Sequence, residues 1–224
     1  MTRTEMVEKL MGDLGKDSAQ ARSLIDKAVG DITKDLLSQD GGRFFGLEKY
    51  QDITISTTET RYILNKDFNT IRSKAVRLSS TQVFLGDFFV VSFDDFFERQ
   101  ADTSVYPGQY YGRIEKLDSG PSGAGMYLII GDVPDKTSYI RVFYFRKPTE
   151  NDSDLIRNEF ILETGAKSQL KSLNPDWELH LKIYFKMREG FREHIARQVN
   201  ELSFKPSRRT QGHNARQYKI GRGN

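Results

Sequence analysis

Ser138-Tyr-Ile-Arg-Val-Phe-Tyr-Phe-Arg146 alternates along its whole length. In an extended chain Tyr139, Arg141, Phe143 and Phe145 point one way, and Ile140, Val142, Tyr144 and Arg146 the other. Aromatics on both faces predict a strand covered at least in part on both sides. Working outward, Asp52-Ile-Thr-Ile-Ser56, Arg61-Tyr-Ile-Leu64, Thr70 to Leu78, Tyr110 to Lys116 and Met126 to Ile130 read as further strands. Phe84 to Phe97 reads as a strand and then a short helix, opened by the capping box Ser92-x-x-Asp95. Gly120-Pro-Ser-Gly-Ala-Gly125 reads as the end of a hairpin.

On either side of this block the period changes from two to 3.6. Met6, Leu10, Met11 and Leu14 share one helical face, and Gly15 closes that helix. Asp17-Ser18 offers a cap to a second helix, whose stripe is Leu24, Ile25, Ala28, Val29, Ile32 and Leu36; Gly41-Gly42 stops it. After Pro148, Leu155, Ile156, Phe160 and Ile161 form a short apolar face. Asn174-Pro175-Asp176 starts the longest helix, with a stripe of Trp177, Leu181, Tyr184, Phe185, Ile195, Val199 and Leu202. The expected class is α+β: a helical bundle from the N- and C-terminal helices, an inserted antiparallel β-rich domain, and an extended basic C-terminal arm. The expected divisions are 1–49 and 148–202 for the bundle, 50–147 for the β domain and 203–224 for the arm.

Charge is distributed unevenly. The arm holds six of the 34 basic residues (Lys205, Arg208, Arg209, Arg216, Lys219 and Arg222) and none of the 31 acidic ones. Residues 1–202 therefore carry 28 basic against 31 acidic groups, a net −3. A basic arm on a mildly acidic body seeks an acidic partner, protein or nucleic acid. Arg208, Arg209, Arg216, Tyr218, Lys219, Ile220 and Arg222 are the expected partner-binding residues, the cations pairing with carboxylates and the two late hydrophobes entering apolar pockets.

Chemistry-bearing motifs are sparse. The 224 residues include no Cys, which removes disulfides, thiolate zinc sites and cysteine nucleophiles. His180, His194 and His213 do not stand at metal spacing. Gly120 to Gly125 lacks the Lys-[Ser/Thr] of a phosphate loop. Asp94, Asp95 and Glu98 read as a solvated helix face rather than a divalent-ion site. No serine sits in a Gly-x-Ser-x-Gly elbow. No nucleophile, base and orienter come together, so the expectation is no enzyme and no metal site. Phe88, Phe89, Phe93, Phe96 and Phe97 lie among Asp87, Asp94 and Asp95, which would repel phosphate; they read as core or as a contact for another protein. The N-terminus lacks a signal-peptide stretch, and no apolar run reaches the ~20 residues of a membrane span.

Five segments in their order resemble one family. They are Ser18 to Ser38; Thr60-Arg-Tyr-Ile-Leu-Asn-Lys-Asp-Phe68 with Ile71 and Val76; and Val91-Ser-Phe-Asp-Asp-Phe-Phe97. Then come Tyr127-Leu-Ile-Ile-Gly-Asp-Val-Pro-Asp135 running on to Tyr139-Ile-Arg-Val-Phe-Tyr-Phe-Arg-Lys-Pro148, and Pro175-Asp-Trp-Glu-Leu-His180. Together they resemble the head-to-tail adaptor, or connector, proteins of tailed bacteriophages, with Asn65 where that family usually has proline. The resemblance implies a structural virion protein at the head–tail neck, assembled from the host cytoplasm. It implies a ring, typically of twelve subunits, bound to the portal and to neighbouring adaptors, offering a surface to the next tail component and letting viral DNA pass. It implies no cofactor, no catalytic residue and no membrane. Another ring-forming tail protein (a terminator or completion protein), or a nucleic-acid binder acting through the basic arm, are the alternatives.

Overall fold

Thr2 opens the first helix with a reciprocal cap: its hydroxyl accepts from the Glu5 amide at 3.3 Å, and Glu5 Oε2 accepts from the Thr2 amide at 2.8 Å. The computed structural model describes residues 1–101, 110–131 and 138–203. Helix α1 (Arg3–Asp13) packs on α2 (Ala19–Leu37), which is capped by Ser18, and α2 packs on α4 (Glu159–Gln169), capped by Asn158. Helix α5 (Trp177–Ser203) lies along α4. Met6, Leu10, Ile25, Val29, Ile32, Leu36, Ile161, Leu162 and Ala166 fill the space between them. The helices approach closely at Gly165, where a Cβ would stand 2.7 Å from the Tyr184 ring and 2.8 Å from Ile32. Tyr184 donates to Asp35 Oδ2 at 2.6 Å, and Arg188 makes two bonds to the same carboxylate at 2.7 and 2.8 Å. Burial works against the Asp35 charge, but Arg188 and Tyr184 hold its pKa below the ordinary aspartate range.

The strands are β1 (Glu48–Ile55), β2 (Arg61–Ile63), β3 (Phe68–Leu78), β4 (Phe84–Val90), β5 (Tyr110–Gly120), β6 (Gly123–Ile130) and β7 (Ser138–Arg146). They form one sheet in the order β1-β7-β3-β4-β5-β6-β2. All pairs are antiparallel except β4–β5, which is parallel and spans the short helix α3 (Phe93–Ala101). A parallel pair requires a crossover, and α3 lies within it.

The sheet curls almost onto itself. Gln51 on β1 donates from Nε2 to the Ile63 carbonyl of β2 at 3.2 Å and accepts from the Asn65 amide at 2.8 Å, so one side chain bridges the two edge strands. Tyr62 reinforces the seam, accepting from the Ser56 amide at 3.0 Å and donating to the Glu59 carbonyl at 2.8 Å. Alternate residues of each strand fill the interior: Ile53, Ile55, Tyr62, Leu64, Phe68, Ala75, Phe88, Leu128, Ile130, Ile140, Val142 and Tyr144. The other parity faces out. On β7 that parity brings Phe145 into the core of the helices, together with Leu47.

These contacts overturn the expected α+β arrangement of a helical bundle with an inserted antiparallel β domain. The fold is mixed α/β, built on a large, nearly closed sheet with five α-helices among the described residues. Two physical facts separate it from the expectation. The sheet contains a parallel pair, so it is not an antiparallel block. Its β7 and the approach to β1 lend Phe145 and Leu47 to the helical core, so sheet and helices share packing where they join. The expected α5 stripe is also narrower. Tyr184 and Ile195 are buried, but Phe185 is 56% exposed, and on α2 Leu24 is exposed as well. The Val199 and Leu202 side chains and the arm 204–224 lie outside the described residues.

Candidate functional site

Besides Leu24 on α2 and Tyr50 on β1, the exposed large apolar side chains belong to two parts of the chain. The first is built by β4 and α3. On β4, Phe88 points into the sheet's interior, so Phe89 points out. Two residues beyond the strand, Ser92 accepts from the Asp95 amide at 3.2 Å and opens α3. Phe96 alone of the α3 phenylalanines is buried, seated on the outer face of the sheet among Tyr111, Tyr127 and Ile129. Its ring meets Tyr111 edge-on at 5.6 Å. Fixing Phe96 inward turns the stripe of Phe93 and Phe97, one turn apart, toward solvent at 57% and 46% exposure. The rings of that pair meet edge-on at 4.8 Å.

Arg113, on the outward parity of β5, completes this face. Its guanidinium lies 4.4 Å from the Phe93 ring centroid, 5.2 Å from Phe96 and 5.1 Å from Phe97. It pairs with Glu115 at 2.7 Å through Nη2, while Nε and Nη1 are buried without a hydrogen-bond partner. The negative ring faces stand in for acceptors there, an attraction that strengthens as water is excluded. Asp94 and Glu98, also one turn apart, form an exposed acidic stripe beside the Phe93–Phe97 stripe, and Asp95 is exposed too. At the far end of β4, Val83, Phe84 and Leu85 extend the apolar surface, each more than half exposed.

The second part belongs to the helical layer. Phe160 at the start of α4 and Leu179 and Phe185 on α5 are each more than half exposed. A side chain of this kind gains roughly 1.5–3 kcal/mol on full burial, which makes each of them a candidate contact.

The other residues singled out in the sequence do not converge. Among the described residues no group of three or more His, Asp or Glu could hold a metal ion. His180 is engaged locally: Nδ1 lies 2.9 Å from the Asp176 carbonyl and 3.2 Å from Asn174 Nδ2 at the start of α5. The Gly120 to Gly125 stretch is the β5–β6 hairpin, strapped by Tyr127, whose hydroxyl accepts from the Ser122 amide at 3.0 Å and donates to the Gly123 carbonyl at 2.7 Å. Gly120 is required there because any Cβ would collide with the Tyr127 ring. No helix among the described residues is long and apolar enough to cross a membrane. Arg208, Arg209, Arg216, Tyr218, Lys219, Ile220 and Arg222 lie outside the described residues. Sequence reading found the phenylalanine cluster, set Phe160 on an apolar helical face although it is exposed, and missed Arg113 and Leu179. The signal available for Arg113 was its parity with Tyr111 on a strand whose outward face needed cover.

Compared with known proteins, the chain matches no family model and no curated protein.

Proposed function

We propose that the chain is a structural virion protein, a head-to-tail adaptor that joins the portal to the tail and extends the DNA channel as one subunit of a ring. The observation that carries the reading is the presence of exposed apolar side chains on two different parts of one subunit: the β4–α3 face, and Phe160 on α4 with Leu179 and Phe185 on α5. A closed ring uses heterologous contacts, in which one surface of a subunit meets a different surface of the next. Such a ring needs two dissimilar apolar faces per subunit, and the motif order of the sequence points to the same role. The body's net −3 suits a channel through which DNA must slip without being gripped, because phosphate contacts would hold it back. The proposed partners are the portal, neighbouring adaptors and the next tail component, with no cofactor and no catalysis. The site is the virion neck, reached by assembly in the host cytoplasm.

Co-sedimentation with purified portal rings tests this. The chain should travel with portal, and Phe185→Ser or Phe93→Ser should reduce the amount bound without unfolding the protein. Failure to bind portal, together with tight binding to DNA that collapses as salt is raised, would replace the adaptor with the nucleic-acid binder.

A further inference from the structure

The β4–α3 face has a composition that the chain itself can complement. Two stripes run side by side along α3, one aromatic (Phe93, Phe97) and one acidic (Asp94, Glu98), with Phe89 of β4 on the outward face of the preceding strand. The segment 204–224 carries the opposite set: six cations, no acid, and the hydrophobes Phe204, Tyr218 and Ile220. Body and arm of the same chain have opposite net charge, so the arm is attracted to a body, and in a ring the body of the next copy stands within its reach. Reach does not prevent it, since 21 residues can span up to about 70 Å when extended.

We propose that the aromatic and acidic face of α3 is the docking site for the basic arm, residues 204–224, of a second copy of this chain. Tyr218 and Ile220 pack against Phe89, Phe93 and Phe97, while Arg216, Lys219 and Arg222 meet Asp94, Asp95 and Glu98. Arginine also stacks on exposed phenyl faces, which a lysine-only arm could not do as well. Each arm thus straps the next subunit, and the contact runs in one direction around the ring. The inference rests on the ring reading above and assigns one of its two faces a specific occupant.

The test is a photo-crosslinker in place of Tyr218 in the full chain, with ordinary and isotopically heavy chains mixed at rising concentration and the crosslinks mapped by mass spectrometry. The expected result is crosslinks between light and heavy chains on residues 83–98, with yield rising with concentration. The triple variant Asp94→Lys, Asp95→Lys, Glu98→Lys should cut that yield about tenfold, as loss of three solvent-exposed ion pairs implies. Because the triple change also loads the start of α3 with cations, a second variant reverses the arm instead (Arg216→Glu, Lys219→Glu, Arg222→Glu), and combining both sets should restore the yield. Crosslinks within one chain only, crosslinks to other surfaces, or none at any concentration would overturn the proposal. If the arm crosslinks elsewhere while the chain still rings the portal, the strap alone is wrong; if no portal-bound ring forms, the adaptor reading is wrong.

Discussion

Asp152→Asn should cost about 2–3 kcal/mol at neutral pH, the loss of charge-assisted bonds in a mostly buried pair. Asp152 sits where β7 gives way to the helical layer. Its carboxylate accepts from Arg146 at 2.8 and 2.5 Å, from the Thr149 amide at 2.6 Å and from the Thr149 hydroxyl at 2.8 Å. Asparagine keeps one acceptor and turns an amide donor against the guanidinium, leaving Arg146 with an unmatched charge. In a chain of this size the midpoint of thermal unfolding should fall by about 5–10 °C. The effect has a defined pH dependence. Burial alone would raise the Asp152 pKa, but Arg146 and Thr149 outweigh it and hold the pKa below the usual aspartate value. A depressed folded-state pKa contributes stability above the unfolded pKa and loses it as pH falls through the folded one. The gap between wild type and variant should therefore be full at neutral pH and close below about pH 4, the ordinary aspartate range. Urea unfolding followed by circular dichroism at neutral and acid pH measures it. A loss under about 0.5 kcal/mol, the range of an inconsequential surface change, would refute the reasoning, as would a gap that does not shrink in acid.

Other substitutions separate the fold from its surfaces. Phe96→Ala should cost about 3–5 kcal/mol in urea unfolding, the range for emptying an aromatic site. Phe93→Ser and Phe97→Ser, which each weaken the contact of a ring with Arg113, should cost about 0.5–2 kcal/mol, less than Phe96→Ala, while reducing portal co-sedimentation. Gly165→Ala should destabilise by about 1–3 kcal/mol through overpacking against Tyr184 and Ile32, read as a lower thermal midpoint. Gln51→Ala removes both bridges across the β1–β2 seam, and hydrogen exchange at the Asn65 amide should accelerate while amides of the β3–β7 ladder keep their protection.

Local structure was legible wherever a pattern was sustained. The alternation of Ser138 to Arg146 gave a strand with both faces covered, and the structure shows why: Ile140, Val142 and Tyr144 fill the sheet while Phe145 enters the helical core. Ser92-x-x-Asp95 opened a helix as read. What periodicity does not carry is which strand pairs with which. The parallel β4–β5 pairing and the Gln51 seam depend on contacts between residues far apart in sequence, and neither leaves a local mark. The helical apolar stripe of α5 was overread because period alone does not distinguish a residue facing a core from one facing a partner. Phe185, placed by its spacing in the core, is exposed. On the surface, the phenylalanine cluster was visible as composition, but its division into one anchor, Phe96, and two outward rings, Phe93 and Phe97, follows only from where α3 meets the sheet.

Electron-microscope images of the full chain mixed with purified portal particles test the central claim most directly. The account predicts an added ring of density, coaxial with the portal and on its tail-facing side, that disappears when Phe93 and Phe185 are both replaced by serine. Portal particles that look the same with and without the chain, at concentrations where both are soluble, would contradict it.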